Sequence, residues 1–133
     1  MKSTELRIGN ILNWQVGSSI MQGVVTSLST VSIVIDHKST FKISSEYDTY
    51  RLIPISLTEE WLLKCKLKYS SGIWSLTDFF TICYSEINEW HNKNGYYLYA
   101  NDVEYETTVC VQYVHQLQNL FYCLCGKELE LIL

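Results

Sequence analysis

The hydrophobic and polar positions fall into two kinds of pattern. Residues 1–55 carry short runs with strand character: Ile11-Leu12-Asn13-Trp14, Ile20 to Leu28, Val31 to Ile35, Phe41-Lys42-Ile43 and Arg51 to Ile55. Val16-Gly17-Ser18-Ser19, Ser29-Thr30 and Asp36-His37-Lys38-Ser39 read as the turns between them. Gly23, inside the second run, predicts a bulge or sharp bend. Ser44 to Asp48 reads as a single helical turn. Five short strands with one helical turn before the last is the layout of an SH3-like small β-barrel, in which closure removes the exposed edges of a unit too small to cover them. An open, twisted antiparallel sheet uses the same strands and is the alternative.

Pro54, the only proline, marks the exit from this unit. Ser56 to Leu63 then predicts a helix start, with Ser56 and Glu59 as a capping box or Thr58 as the alternative N-cap. The helix is expected to end near Cys65 or Leu67. Beyond it, Lys66 to Tyr69 is extended, Ser70-Ser71-Gly72 is a hairpin turn, and Ile73 to Leu76, Phe79 to Tyr84 and Tyr96 to Ala100 are strands. Asn94-Gly95 is the strongest hairpin dipeptide of the chain, because both residues tolerate positive φ. After an Asn101-Asp102 turn, Val103 to Tyr113 alternates, with Val103, Tyr105, Thr107, Val109 and Val111 on the face expected to meet a core.

Helical periodicity takes over at Val114. Tyr113, Leu117, Leu120, Phe121 and Leu124 form one stripe, and Gln112, His115, Asn119 and Tyr122 lie opposite. Gly126 suits the C′ position and Lys127 the helix dipole. Glu128 to Leu133 reads as an extended tail pairing with a sheet edge. The expected fold class is therefore α+β: an SH3-like barrel over 1–55, then a domain over 56–133 with a small antiparallel sheet and two helices.

Composition adds exclusions. The 133 residues are 47% hydrophobic and 18% charged, which is a folded rather than a disordered composition. The net charge is -4. Residues 1–55 hold five basic and four acidic side chains, whereas residues 56–133 hold five basic against ten acidic, a balance of -5. A nucleic-acid surface is thus confined to the first half and is weak even there. No apolar run reaches the length of a membrane span, and Met1 to Arg7 does not resemble a secretory leader. The cysteines Cys65, Cys83, Cys110, Cys123 and Cys125 are odd in number and sit in apolar runs, which fits free, mostly buried thiols in a reducing cytoplasm.

The candidate chemistry is sparse. Cys123 and Cys125, two apart on a helix, point about 200° apart and do not chelate one ion. No C-x-x-C, H-x-x-x-H, Walker A, G-x-G-x-x-G or G-x-S-x-G motif occurs, and no cofactor is expected. His115 with Asn119 one turn on is the best-placed histidine, read as part of a polar helix face. Asp102, Glu104 and Glu106 share a strand face suited either to a divalent cation or to solvent. The aromatic surplus is the strongest functional hint: Trp74, Trp90, Tyr96, Tyr97, Tyr99 and Tyr122 exceed what so small a core buries, and surface Tyr and Trp favour interfaces.

Three separated blocks carry a resemblance. Glu5-Leu6-Arg7-Ile8-Gly9-Asn10, Leu57-Thr58-Glu59-Glu60-Trp61-Leu62 and Tyr113-Val114-His115-Gln116-Leu117-Gln118-Asn119-Leu120 resemble a family of short, uncharacterised proteins of gut Bacteroides-type bacteria and their phages or prophages. Members tend to carry aliphatic or small residues where this chain has Cys123 and Cys125, which argues against a family-wide metal or redox role for these thiols. The resemblance implies origin and compartment, and no activity. The expected function is a non-catalytic interaction module that binds a protein partner or self-associates, with Gln112, His115, Asn119, Tyr122, Trp90 and Tyr97 as its candidate surface. A nucleic-acid accessory role for the barrel half and a small metal-dependent hydrolase are the alternatives.

Overall fold

The computed structural model describes residues 3–45, 48, 50–101 and 106–132. The chain folds as two compact units, one of residues 1–55 with 114–119, the other of residues 56–113 with 120–133. The division after Ile55 lies just past Pro54. The departure from a simple two-part chain is the segment 114–119, which groups with the first unit.

The first unit opens with a 3-10 turn, Ser3–Glu5, followed by strands β1 (Ile11–Val16), β2 (Ser19–Leu28), β3 (Ser32–Ile35), β4 (Ser39–Lys42) and β5 (Leu52–Ile53). They form one curled antiparallel sheet in the order β4-β3-β2-β1-β5. The first connection is Gly17-Ser18 with Gly17 at φ 60°, the left-handed first position that a II′ hairpin demands. Strand β2 pairs with β1 through its first half and with β3 through its second. Its register shifts between Val25 and Ser27, and such a bulge bends the strand that both halves share. The bulge expected at Gly23 thus lies further along. Gly23 is needed for another reason, since a Cβ there would overlap Ile35 Cγ2 and stand 2.8 Å from Asp36 Oδ2.

Asp36 and His37 both take positive φ, 53° and 58°, without being glycine. Local bonds hold them there: Asp36 Oδ1 accepts from Val24 N at 2.9 Å, and Thr26 Oγ1 accepts from His37 N at 2.8 Å. Inside the curl lie Leu6, Leu12, Val25, Ile33, Ile35, Phe41 and Leu52, with Trp14, Leu28 and Ile43 packed against them. Of the helical turn expected over Ser44 to Asp48, Ser44 and Ser45 are not helical and Asp48 is; Tyr50, beyond it, is also helical, while 46, 47 and 49 lie outside the described residues.

The second unit begins with helix α1, Glu59–Lys64. Its N-cap is Thr58, whose Oγ1 accepts from Trp61 N at 3.4 Å, so the Ser56 capping box is not used. Leu57 and Leu62, the staple positions on either side of that cap, are both buried. The helix ends in a Schellman arrangement: Lys66 N donates to Leu63 O and Leu67 N to Leu62 O, with Lys66 at φ 60° where glycine is usual.

Strands β6 (Lys68–Ser70), β7 (Ile73–Ser75), β8 (Phe80–Ser85), β9 (Gly95–Ala100) and β10 (Glu106–Val111) follow in a meander ordered β10-β9-β8-β7-β6. Ser71-Gly72 makes the expected tight turn, both at positive φ. Asn94-Gly95 does not. Gly95 is already in β9, opposite Ser85, and the connection is the longer loop 86–94. Glycine is required at 95 by crowding, since a Cβ would meet Cys110 Sγ at 2.6 Å and Val111 O at 3.0 Å. The alternation expected over 103–113 is broken by a register shift between Glu106 and Cys110, and Val109 is exposed while Val111 is buried.

Helix α2 spans Val114–Cys125, and Gly126 closes it at φ 70°. The tail after it is not a strand. Ile132 N donates to Lys64 O, so the tail covers a carbonyl left open at the end of α1, and Lys66 Nζ meets Glu130 Oε2 at 3.0 Å. Among the described residues no helix is long and apolar enough to cross a membrane.

Candidate functional site

Within the first unit, the helix face read as an outward contact surface is turned inward. His115 and Gln118 are buried, with no exposed surface on His115. The cause lies in the sheet. Strand β5 meets β1 only at Asn13 and Trp14, so it is too short to reach Ile11. The Gln118 carboxamide takes the place of the missing strand: its Oε1 accepts from Ile11 N at 2.9 Å and its Nε2 donates to Gly9 O at 3.0 Å. One position on, Asn119 Nδ2 donates to Glu5 O at 2.8 Å, and its Oδ1 accepts from Asn10 Nδ2 at 2.8 Å and Arg7 Nε at 3.2 Å. Asn10, fully buried, accepts from Arg7 N through Oδ1 at 2.7 Å. Buried amides of this kind are tolerated because each polar atom is answered.

His115 Nε2 stands 3.7 Å from Glu5 Oε2. Burial pushes its imidazole below the usual range, and the Glu5 carboxylate partly opposes that shift. His115 and Asn119 therefore belong to an internal latch between residues 5–11 and the start of α2, and this corrects their place in a contact surface. Periodicity assigned polar residues outward, and it has no means of recognising a side chain that substitutes for a strand.

The other expected residues lie in the second unit and do not converge. Gln112 precedes α2, is half-buried and donates to Asn94 O at 2.8 Å. Tyr122 is exposed. Tyr97 is buried, which corrects its assignment to a surface: its ring stacks on His91 at 3.8 Å, and its hydroxyl donates to Lys93 O at 2.8 Å. Trp74 and Tyr96 are likewise buried. Trp90 is not, being 83% exposed. It rides on loop 86–94, whose backbone is fixed from within. Asn88 Oδ1 accepts from Trp90 N and His91 N, Asn94 Oδ1 accepts from Ile87 N, and Ser85 Oγ lies 2.7 Å from His91 Nδ1. Ile87 beside it is also exposed. An exposed indole on a framed loop is a contact group whose ordering cost is met before a partner arrives.

A second aromatic feature of this unit was not anticipated. An open cleft of about 510 Å³ is lined by Glu59, Tyr69, Gly72, Trp74, Cys83, Tyr84 and Tyr96. Tyr69 packs on Trp74 with ring centres 5.0 Å apart, and Tyr84 on Tyr96 at 5.4 Å. Tyr69 and Tyr84 are half exposed, and Trp74 and Tyr96 lie beneath. Burial raises the Tyr96 hydroxyl above its ordinary pKa, with the charge of Glu59 and then Tyr84 adding to it, so the cleft holds a neutral phenol under a carboxylate. Tyr69 comes from β6, where Lys68-Tyr69-Ser70 is a three-residue edge strand with every side chain exposed.

Among the described residues, no three His, Cys, Asp or Glu side chains gather around one point. Burial pushes the Cys65 thiol up to about 12, which leaves it protonated and a poor nucleophile at neutral pH. The expectation of mostly buried thiols holds for Cys65 alone: Cys83 and Cys110 are half-buried, and Cys123 and Cys125 are exposed on α2. Asp102 and Glu104 of the acidic strand face lie outside the described residues. In comparison with known proteins, no family model, curated protein or solved structure matches this chain.

Proposed function

We propose that this protein is a non-catalytic interaction module whose second unit engages a protein partner through exposed aromatic side chains. The observation that carries this reading is Trp90, almost fully exposed on a loop held by its own Asn88, Asn94 and Ser85 hydrogen bonds. An unsupported indole in water gains nothing from such framing, whereas a binding loop does.

We further read the first unit as an SH3-like small barrel. The strand order β4-β3-β2-β1-β5, the bulge in the shared strand β2 and helical residues ahead of β5 support it. The phage or prophage origin is part of the same reading. It rests on the resemblance of the three sequence blocks alone. A cytoplasmic location accords with five cysteines that are all free thiols.

The test is a photo-cross-linking residue placed at position 90 in cells that make the protein, with position 20, in the first unit, as the reference. A discrete adduct at 90 and none at 20 is expected, and mass spectrometry then identifies a partner or a second copy of the chain. Equal labelling at both positions, or none at 90, overturns the reading.

A further inference from the structure

The cleft beside α1 carries a more specific reading, which rests on the interaction-module proposal. We propose that the cleft lined by Tyr69, Trp74, Tyr84 and Tyr96, with Glu59 at its edge, binds an arginine side chain of the partner protein. Four ring systems converge on one open space, two of them half exposed and two beneath, arranged as tilted and edge-to-face pairs at 52° and 64°. Aromatic faces are electron-rich, and a cation above them is attracted while an anion is repelled. Glu59 adds a full negative charge, and among the described residues no Lys or Arg lines the space to neutralise it. Neighbouring lysines are placed elsewhere: Lys64 pairs with Glu60 and lies over Trp61, Lys66 pairs with Glu130, and Lys68, next to Tyr69 in β6, lines a separate cavity with Lys66. Glu59 makes no ion pair among the described residues.

Charge complementarity extends beyond the cleft. Residues 56–133 hold ten acidic against five basic side chains, a field that draws in a basic segment and repels an acidic one. A neutral apolar ligand would make no use of Glu59. Among cations, the guanidinium fits best. It is planar and stacks on a ring, it donates a fork of N–H groups to a carboxylate, and it sheds water more readily than an ammonium. A quaternary ammonium has no N–H for Glu59 to accept. Gly72, without a side chain, leaves the turn side of the cleft open for the aliphatic stem to enter.

The experiment titrates the isotope-labelled full chain with three capped tripeptides, Gly-Arg-Gly, Gly-citrulline-Gly and Gly-Lys-Gly, and follows amide and indole NMR shifts. The arginine peptide is expected to give saturable shifts clustered at Gly72, Cys83, Tyr84 and the Trp74 indole. The citrulline peptide, of the same shape without the charge, is expected to give none at the same concentration, and the lysine peptide to bind several-fold more weakly. Glu59→Gln and Tyr84→Ser each weaken the arginine response about fivefold or more, a change in the range of one cation–π or charge-assisted contact. Both side chains are exposed, so folding is retained, while Ile20→Ser in the first unit leaves the titration unchanged. Equal binding of the citrulline peptide, shifts scattered over surface carboxylates without saturation, or lysine binding as tightly as arginine each overturn the assignment. A failed titration with the cross-link at position 90 intact removes the arginine site alone. Failure of both removes the interaction module beneath it.

Discussion

The two units differ in the use they make of polar and aromatic side chains. In the first, Asn10, Gln118 and Asn119 answer backbone groups or one another, and the buried His115 imidazole faces Glu5. In the second, Tyr69, Phe79, Tyr84 and Trp90 are turned outward, where they stabilise little. Burying amides is costly unless every atom is answered, and exposing indoles and phenols forgoes the hydrophobic gain of covering them. Each arrangement has its own logic. Inward amides fix the geometry of a strand too short to fix itself. Outward rings keep contact area available for something else. The difference separates residues whose loss unfolds the protein from residues whose loss silences it.

The largest expected effect is at Gln118. Gln118→Leu preserves size but leaves the buried Ile11 N and the part-buried Gly9 O without their partner, and this costs about 2–3 kcal/mol of stability. Urea unfolding at pH 7.5 reads it as a lower midpoint with unchanged slope. A loss below about 0.5 kcal/mol would mean that the latch does not hold the start of β1, and the contrast between the units would fail on that side.

His115 tests the same latch by pH. Its folded pKa is lowered by burial, so as pH falls through the ordinary value of about 6.5 the unfolded chain takes up a proton that the folded protein refuses. This contribution to stability is full above about pH 6.5 and declines below it, with a limiting slope of about 1.4 kcal/mol per pH unit until the folded pKa is reached. His115→Gln removes that component. The difference in unfolding free energy between wild type and variant should therefore shrink between pH 7.5 and pH 5, and a constant difference contradicts the burial argument.

What could be read from the sequence follows the range over which each signal acts. Local signals were legible: Gly17, Ser71-Gly72 and Gly126 sit where their backbone freedom predicts, and the strands of both sheets lie within a few residues of the apolar runs. Signals set by distant partners were not. Asn94-Gly95 has the composition of a turn, but Gly95 is glycine because Cys110 and Val111 crowd it from the next strand. Gly23 answers to Ile35 in the same way. Of the expected contact residues, His115 and Tyr97 are internal and Asn119 is half-buried in the latch, because helical or strand parity says which residues share a face and not which face meets protein. The cleft escaped notice because Glu59, Tyr69 and Tyr84 come from three elements, and no spacing along the chain brings them together.

A smaller effect, with the opposite sign, is expected at the end of α1. Lys66 holds a left-handed conformation at φ 60° that a side chain strains. Lys66→Gly should raise stability by about 0.5–1 kcal/mol, less a few tenths for the lost exposed pair with Glu130. Thermal unfolding checks it, and a fall in midpoint would show that the Glu130 pair and the tail bond to Lys64 O matter more than the backbone strain.

The smallest effect on stability is expected where the functional effect is greatest. Trp90 makes its hydrogen bond through its backbone N–H, to Asn88, and its ring is 83% exposed. Trp90→Ser removes the indole and leaves that N–H in place, so the loop keeps its frame and the unfolding free energy changes by no more than about 0.5 kcal/mol. With the photo-cross-linker moved to Ile87, the neighbouring exposed position, the same substitution should abolish or sharply reduce the adduct. The two readouts must diverge for the contrast between the units to hold. A Trp90→Ser protein that loses stability on the scale of Gln118→Leu would place this indole among the structural residues. One that keeps both its stability and its adduct would leave the loop without a function to explain its framing.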